Sequence, residues 1–589
     1  MNTIDQKRYL LILTFLLMAA FFFRFIGLGS APLSESEARL AMQSWSAMKG
    51  LPDYQIRQPL YVFITSVCFS FFDANEFTAR VFPAIMGLLL VCLPILFHHQ
   101  IGLPKTSLLV FFLAIDPVGI AWSKTADSLI PVICLFLFSI TAFYRKRTIP
   151  GIILLALAMT GGERFWPPAA AILISFLFFQ LLSRRKLIFD NLTELFSVKN
   201  LILLTICFIL FSIGFFRFPY GLHTIGQGLL AGFAVNKTGD PKAVRFLPIL
   251  IGYLYYFGFM LLLILLKFVQ LIRSKQISEV FLAAAFVVFA LLMGLFQQGI
   301  LALAWISIPL IYFCSGIFVQ LSNEIRIEKS VYSYLAIATL PCLYCFLVFR
   351  ITELLQMGDL SLPLSFRWNQ QLITLSLTRF QGYLFIIVIC LIIFGVFFPY
   401  LLNYFSPNKI WSSFGLGILL IWLFSLTVNS WSAAGFRYNQ EDLSSGKNHN
   451  RHELALGAQI HQMNSMILDQ IQEIGLKQSG FKDSAKGLIL NLDEPMMDWE
   501  LRKNTAVQET GMLNHQTELP SYVITTDIDT NDITKDLIGT PFVWKVQDEW
   551  NSFTLTDWLK WMLYRQVKEN HFMLTFWQEP RWITEIVEE

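Results

Sequence analysis

No cysteine follows Cys390, so disulfides are not what holds the C-terminal stretch together. Charge is scarce: Asp, Glu, Lys and Arg make up 14% of the 589 residues, against about 25% in soluble domains. No basic run reaches five residues, which excludes a nucleic-acid-binding arm. The C-terminal stretch has no Gly-rich phosphate loop, and no repeat of fixed period runs through the chain. What remains is strongly apolar: 55% hydrophobic residues and 56 Phe, the composition of a membrane protein.

The charge that is present is divided. Residues 431–589 hold 14 Lys and Arg against 24 Asp and Glu, while the first 430 residues hold 30 against 17. A basic membrane part suits anionic headgroups or phosphates, and the acidic tail reads as a soluble domain. A span needs about 20 apolar residues. Thirteen such runs, one of them short, extend from 9–27 to 411–430. Lys7 and Arg8, Lys105, Arg145 to Arg147, Arg184 to Lys186, Lys267, Arg326 and Lys409 fall on one side. That side is the cytoplasm by the positive-inside rule. The expectation is therefore a polytopic α-helical membrane protein of the plasma membrane, with residues 1–430 in the bilayer and the N-terminus cytoplasmic. Residues 431–589 form an extracytoplasmic α/β domain. The first run is too long for a signal-peptide core and is read as an uncleaved span. Cys342 and Cys345 have C-x-x-C spacing inside a Leu/Phe helix; packing and redox or metal roles both fit, packing better.

Three long segments, 28–80, 218–245 and 351–381, face outward and break the charge rule with their own Arg and Lys. Long loops tolerate this; an anionic ligand at the outer surface also explains it. In the first, Leu33, Leu40, Ala41, Trp45 and Met48 recur near helical spacing, and a second apolar helix runs from Pro59 to Phe72. Both read as interfacial helices. In the tail, a helix is expected over 452–474 and another over 556–566. Strands are expected at 487–495, 521–527, 541–546 and 572–577.

An amphiphile such as a lipid-linked sugar phosphate keeps its chain in the bilayer and its head at the interface. Transferring the sugar needs a carboxylate to take the acceptor proton and cations to hold the departing phosphate. The first loop offers Glu35, Glu37, Arg39, Arg57 and Arg80, and the turn AWSKTADSL offers Lys124 and Asp127. Asp127 either caps the next helix or works. Asp116, before Pro117, is either a helix-break residue or a buried functional acid. Glu163 and Arg164 read as an interfacial salt pair, and the tail acids Asp493, Glu494 and Asp527 as turn residues or a site at strand ends.

The order E-A-R-L-A (37–41), R-Q-P-L-Y (57–61) and F-D-A-N-E-F-T-A-R-V-F-P-A-I-M-G (72–87) resembles the GT-C superfamily of membrane glycosyltransferases. The branches it resembles are the lipid A aminoarabinose transferases, the protein O-mannosyltransferases and the RgtA/B/C/D-like group, and it is similar also to the related flippase-activity-associated membrane proteins. The resemblance is clearest over residues 20–185. It implies a polyprenyl-phosphate sugar donor, inversion at the anomeric carbon, and a first-loop Asp as base. That Asp position is Ser36 here, so Glu37, or in second place Glu35, would serve. Arg57 and Tyr61 fall on the family's lipid-phosphate stretch, and Asp127 on its second-loop Asp. The resemblance thus implies a catalytic set of Glu37, Glu35 and Asp127. Arg57, Arg39, Lys124, Arg80 and Tyr61 would hold the lipid phosphate. No cofactor is required, although two acids and a phosphate can hold a divalent metal. The partners expected are the polyprenyl-phosphate sugar, membrane lipid and a glycan, lipid or protein acceptor, without nucleic acid. A catalytically silent relative that binds or helps move lipid-linked glycans is the alternative, and a transporter the third. The tail lacks W-W-D-Y-G, against the oligosaccharyltransferase branch.

Overall fold

The structure, a computed structural model, describes residues 3–51, 56, 58–183, 197–215, 277–296, 301–324, 361–368, 371–378 and 407–435. In the tail it describes 459–460, 464–510 apart from 491, 493 and 505, then 520–526, 537–548 and 569–579, together with scattered single positions elsewhere. Most of each of the apolar runs at 246–267, 331–350 and 382–404 lies outside the described residues, as do Arg57, Asp493, Asp527 and the 556–566 helix apart from Asp557.

The described chain is mostly helical. Helices α1 (Thr3–Phe25), α2 (Glu35–Lys49), α3 (Pro59–Phe71) and α4 (Glu76–Cys92) come first, then α5 (Leu103–Ala114) and α6 (Pro117–Ser123). After them run α7 (Leu129–Tyr144), α8 (Thr148–Met159), α9 (Trp166–Ser183) and α10 (Val198–Ser212). Among the described residues three helices are long and apolar enough to cross a membrane, Glu76–Ile101, Gly162–Leu181 and Ala302–Val319. A fourth span exists if the bent pair α5 and α6 counts as one.

That bent pair falls where a single run, 106–123, was expected. The two helices meet at 55°. Asp116 caps the second, accepting from the Gly119 amide at 3.0 Å, and Pro117 stands at its first position, where a missing N–H is harmless. The last carbonyls of α5 take donors from Arg24 of α1, at 2.9 Å to Leu113 O and 3.3 Å to Ala114 O. Asp116 is thus a helix-break residue whose broken end is satisfied by an arginine.

The first loop folds as two helices, as its pattern implies. Ser34 and Glu37 form a capping box that starts α2, and Gly50, at φ 74°, ends it. Only glycine takes that left-handed conformation without strain. Pro59 opens α3, whose Leu60, Tyr61 and Val62 are buried. Asn75 caps α4 through the Thr78 amide at 2.8 Å.

Contacts group the chain into two compact units: residues 1–313, 430–552 and 568–589, and residues 314–429 with 553–567. In the second, β1 (Ser361–Trp368) and β2 (Gln371–Thr378) make an antiparallel hairpin. In the first, the tail forms a six-stranded mixed sheet of β3 (Gln459–Ile460), β4 (Gly487–Leu490), β5 (Val507–Thr510), β6 (Tyr522–Thr525), β7 (Ile538–Asp548) and β8 (Glu569–Gln578). The order is β3-β7-β8-β6-β4-β5. Strands β5, β4 and β6 are parallel, the remaining pairs antiparallel. Leu488, Leu490, Val523, Leu537 and Trp577 form one buried cluster. The expected strand 487–495 stops at Leu490, because Pro495 opens a short helix over Pro495–Leu501. The expected helix 452–474 is observed over Asn464–Ser479.

Candidate functional site

Glu37 is 4% exposed and every lone-pair direction of its carboxylate is engaged. Arg80 of α4 grips it with two donors, Nε to Oε1 and Nη2 to Oε2, both at 2.9 Å. The Ala126 amide donates to Oε1 at 2.8 Å and the Ser34 amide to Oε2 at 2.9 Å. Burial alone would raise this carboxyl; the Arg80 charge and these donors outweigh it and hold Glu37 below the usual carboxylate range. Arg80 also donates to the carbonyls of Ala31 at 2.7 Å and Pro32 at 3.0 Å, so it ties the approach to α2 onto α4.

One residue beyond Ala126, Asp127 is built the same way. It is 4% exposed. Arg164 donates from Nη2 to Oδ2 at 2.8 Å and from Nε to both oxygens at 3.1 Å. The Leu129 amide donates to Oδ1 at 2.8 Å, so Asp127, one residue before the N-cap Ser128, also satisfies the first amide of α7. Gln58, at the start of α3, donates to Asp127 at 3.4 Å and accepts from the Ser128 amide at 2.9 Å. The turn that carries Arg164 approaches α7 closely: a Cβ on Gly161 would stand 2.0 Å from Val132.

The structure therefore brings Glu37, Arg80, Asp127 and Tyr61 to one junction of α2, α3, α4 and α7. Tyr61 is fully buried and donates to Ala79 O at 2.7 Å. Lys124 donates to Ile26 O and Ala434 O, both at 2.6 Å, placing its charge at the C-terminal ends of helices, where a cation is favoured. Glu35 and Arg39 stand apart from the buried junction. They are 35% and 48% exposed at the side chain and meet at 3.7 Å. Lys545 of β7 approaches Glu35 to 3.5 Å. Arg164 and Gln58 join this junction as partners of Asp127 that the sequence does not assign to it. The expected Glu163–Arg164 pair is present at 3.9 Å, but Arg164 meets Asp127 more closely, at 2.8 Å. Gln58 lay inside the quoted R-Q-P-L-Y stretch without a role. Among the described residues no group of three His, Cys, Asp or Glu is arranged to hold a metal.

The tail covers part of the first loop. Trp499, fully buried, donates from its indole to Glu76 at 3.1 Å and lies near Phe69. Arg502 stacks on Trp499 at 3.7 Å and donates to Ala74 O at 2.7 Å, and Lys503 meets Asp73 at 3.7 Å. Burial pushes Glu500 up to about 7, with the Glu76 carboxylate adding to the rise and Arg502 opposing it. The unfolded group titrates near 4.5. Its folded value is the higher one, so its favourable contribution is complete below the unfolded pKa and is lost as pH rises through the folded one. Hydrogen exchange in 495–503, corrected for intrinsic rate, is expected to be slower at about pH 5.5 than at about pH 8. Glu500→Gln should flatten the difference; an unchanged pH dependence would contradict this origin.

No family model and no curated protein matches the sequence. Among solved structures the chain is similar to ArnT from Cupriavidus metallidurans in the apo state, with 13% identity, 89% of this chain and 93% of that chain covered, and a TM-score of 0.49. For ArnT bound to undecaprenyl phosphate the values are 13%, 87%, 92% and 0.48. An oligosaccharyltransferase from Archaeoglobus fulgidus, tethered with an acceptor peptide containing the NVT sequon, gives 13%, 85%, 63% and 0.40. At such identities and scores the likeness carries no statement about activity, which rests on the residues themselves.

Proposed function

We propose that the chain is a GT-C-type membrane glycosyltransferase that moves a sugar from a polyprenyl-phosphate donor to an acceptor at the outer membrane face. The observation that carries the reading is the pair of buried bridges, Glu37–Arg80 and Asp127–Arg164, one residue apart through Ala126. Burying four ionised groups costs several kcal/mol per ion before pairing. An apolar helical protein keeps such groups by default where it does chemistry or binds charge. In this reading the two bridges are the frame. They fix α2 against α4 and α7, with Tyr61 and Lys124 as further ties.

The base has to offer a free lone pair within hydrogen-bond reach of the acceptor hydroxyl. Glu37 and Asp127 offer none in this state. Glu35, at the first turn of α2, is a third exposed and meets Arg39 and Lys545 only at 3.7 and 3.5 Å, so it keeps a lone pair for the acceptor and takes the role. The acceptor oxygen attacks the anomeric carbon from the face opposite the phosphate. The bond from that carbon to the phosphate oxygen breaks, and its electron pair leaves with polyprenyl phosphate. The hydroxyl proton passes to Glu35, and the anomeric configuration inverts. Arg39 and Arg57 hold the phosphate as its charge develops. The N-terminus is cytoplasmic and residues 431–589 lie outside the cell.

The experiment is donor turnover. Full-length protein in nanodiscs receives undecaprenyl phosphate carrying labelled hexoses or pentoses, with cell-envelope extract as acceptor. Release of undecaprenyl phosphate with label in the extract is expected. Binding of the lipid without turnover of any donor would support the second reading instead, a silent scaffold for lipid-linked glycans. The observation that favours that reading is Ser36 at the position of the base, beside a Glu37 that is fully engaged.

A further inference from the structure

We infer that Lys545, contributed by the C-terminal sheet, is a positioning residue for Glu35; the inference rests on the reading of Glu35 as the base. Lys545 is 14% exposed at its side chain, far more buried than a lysine ordinarily is. Its ammonium meets Glu494 at 2.6 Å, lies 4.9 Å from the centre of the Phe572 ring and reaches Glu35 at 3.5 Å. Glu494 already neutralises it at the shorter distance, so the approach to Glu35 is not needed to satisfy a buried charge. It fixes instead where the Glu35 carboxylate stands.

The backbone is shaped for this approach. The register of β7 against β8 shifts between Val543 and Lys545, so that Val543 faces Met573 and Lys545 faces Phe572 with Trp544 between them. A bulge of this kind re-aims the side chain next to it and is over-represented beside active sites. Trp544 is 2% exposed, and its burial pins the bulge. On the other side of Glu35, Arg39 meets the carboxylate at 3.7 Å from within the same helix. The carboxylate is therefore held between a cation from its own helix and a cation from a strand some five hundred residues along the chain. Positioning groups from a separate layer are what hold a reacting side chain to its working geometry.

Lys545→Met, Lys545→Arg and Glu35→Gln are compared with the unaltered protein in nanodiscs, with the undecaprenyl-phosphate-linked sugars above as probes. Lys545→Met strands the buried Glu494 carboxylate and is expected to lower the melting temperature, and beyond that to lower kcat per folded molecule about tenfold with donor KM essentially unchanged; Lys545→Arg should restore most of both losses. Independently of turnover, carbodiimide labelling of Glu35 should be faster still in Lys545→Met than in the unaltered protein, since the carboxylate then keeps only Arg39 beside it. An unchanged kcat together with unchanged labelling overturns the inference. So does a loss matched by melting temperature and not rescued by arginine. If Glu35→Gln turns over normally, the base assignment itself fails and takes the inference with it. If Glu35→Gln is dead while Lys545→Met is unaltered, only the role of Lys545 fails.

Discussion

Arg80→Met is expected to destabilise the first 313 residues by about 3–5 kcal/mol, because it strands a buried carboxylate. Glu37 would keep only the Ala126 and Ser34 amides as donors, and the carbonyls of Ala31 and Pro32 would lose theirs. A buried charge left without its counter-ion, and polar groups left without donors, are the expensive cases. The double variant Glu37→Gln with Arg80→Met removes both charges and should recover part of the loss, since the pair itself adds little net stability. Recovery stays incomplete because the loop carbonyls still lack Arg80. Arg39→Met, whose partner Glu35 is a third exposed, should change stability by no more than about 1 kcal/mol. Thermal melting of the three variants in nanodiscs checks the ranking. An Arg80→Met protein as stable as Arg39→Met would mean that the bridge is not the frame.

Glu35→Gln is expected to lower kcat by about 10²–10⁴-fold, the usual worth of general base catalysis, with donor binding kept. The amide has nearly the same shape, so α2 and its capping box should survive: the box uses Ser34 and Glu37, not Glu35. Glu37→Gln should behave differently. It weakens the grip on Arg80 and lowers the melting temperature, so its loss of turnover follows its loss of folded protein. A rate measurement paired with a melting curve for each variant separates the two carboxylates. Full activity in Glu35→Gln would remove the base assignment.

Much of this architecture is readable from local signals. Pro59 opens a helix by its fixed φ, and the spacing of Leu33, Leu40 and Trp45 marks an amphipathic helix. Those rules act within a few residues and need no tertiary information. The partners of Glu37 and Asp127 were not readable in the same way. Arg80 lies 43 positions beyond Glu37 and Arg164 lies 37 beyond Asp127, so their pairing is decided by how α4 and the turn before α9 approach α2 and α7. A short-range rule instead attached Arg164 to its neighbour Glu163. The bend at Asp116 was half legible: Asp-Pro marks a break, but the arginine that satisfies the broken end comes from α1. Lys545 carried no signal at all in the sequence, because a lysine in a strand reads as a solvent-facing residue until the sheet is placed against α2. Four of the six tail strands, β4, β6, β7 and β8, fall where β-branched and aromatic residues cluster; β3 and β5 are not signalled, and the acids after β4 overextend it.

The central claim is that Glu37 and Asp127 are locked into buried arginine bridges while Glu35, a third exposed and met by its cations only at 3.5 and 3.7 Å, keeps room for an acceptor. Carbodiimide labelling of intact protein in nanodiscs, read residue by residue by mass spectrometry, tests it directly. Glu35 is predicted to react readily, Glu37 and Asp127 to stay protected, and Glu37 to become reactive in Arg80→Met. Labelling of Glu37 as fast as Glu35 in the unaltered protein would contradict the account.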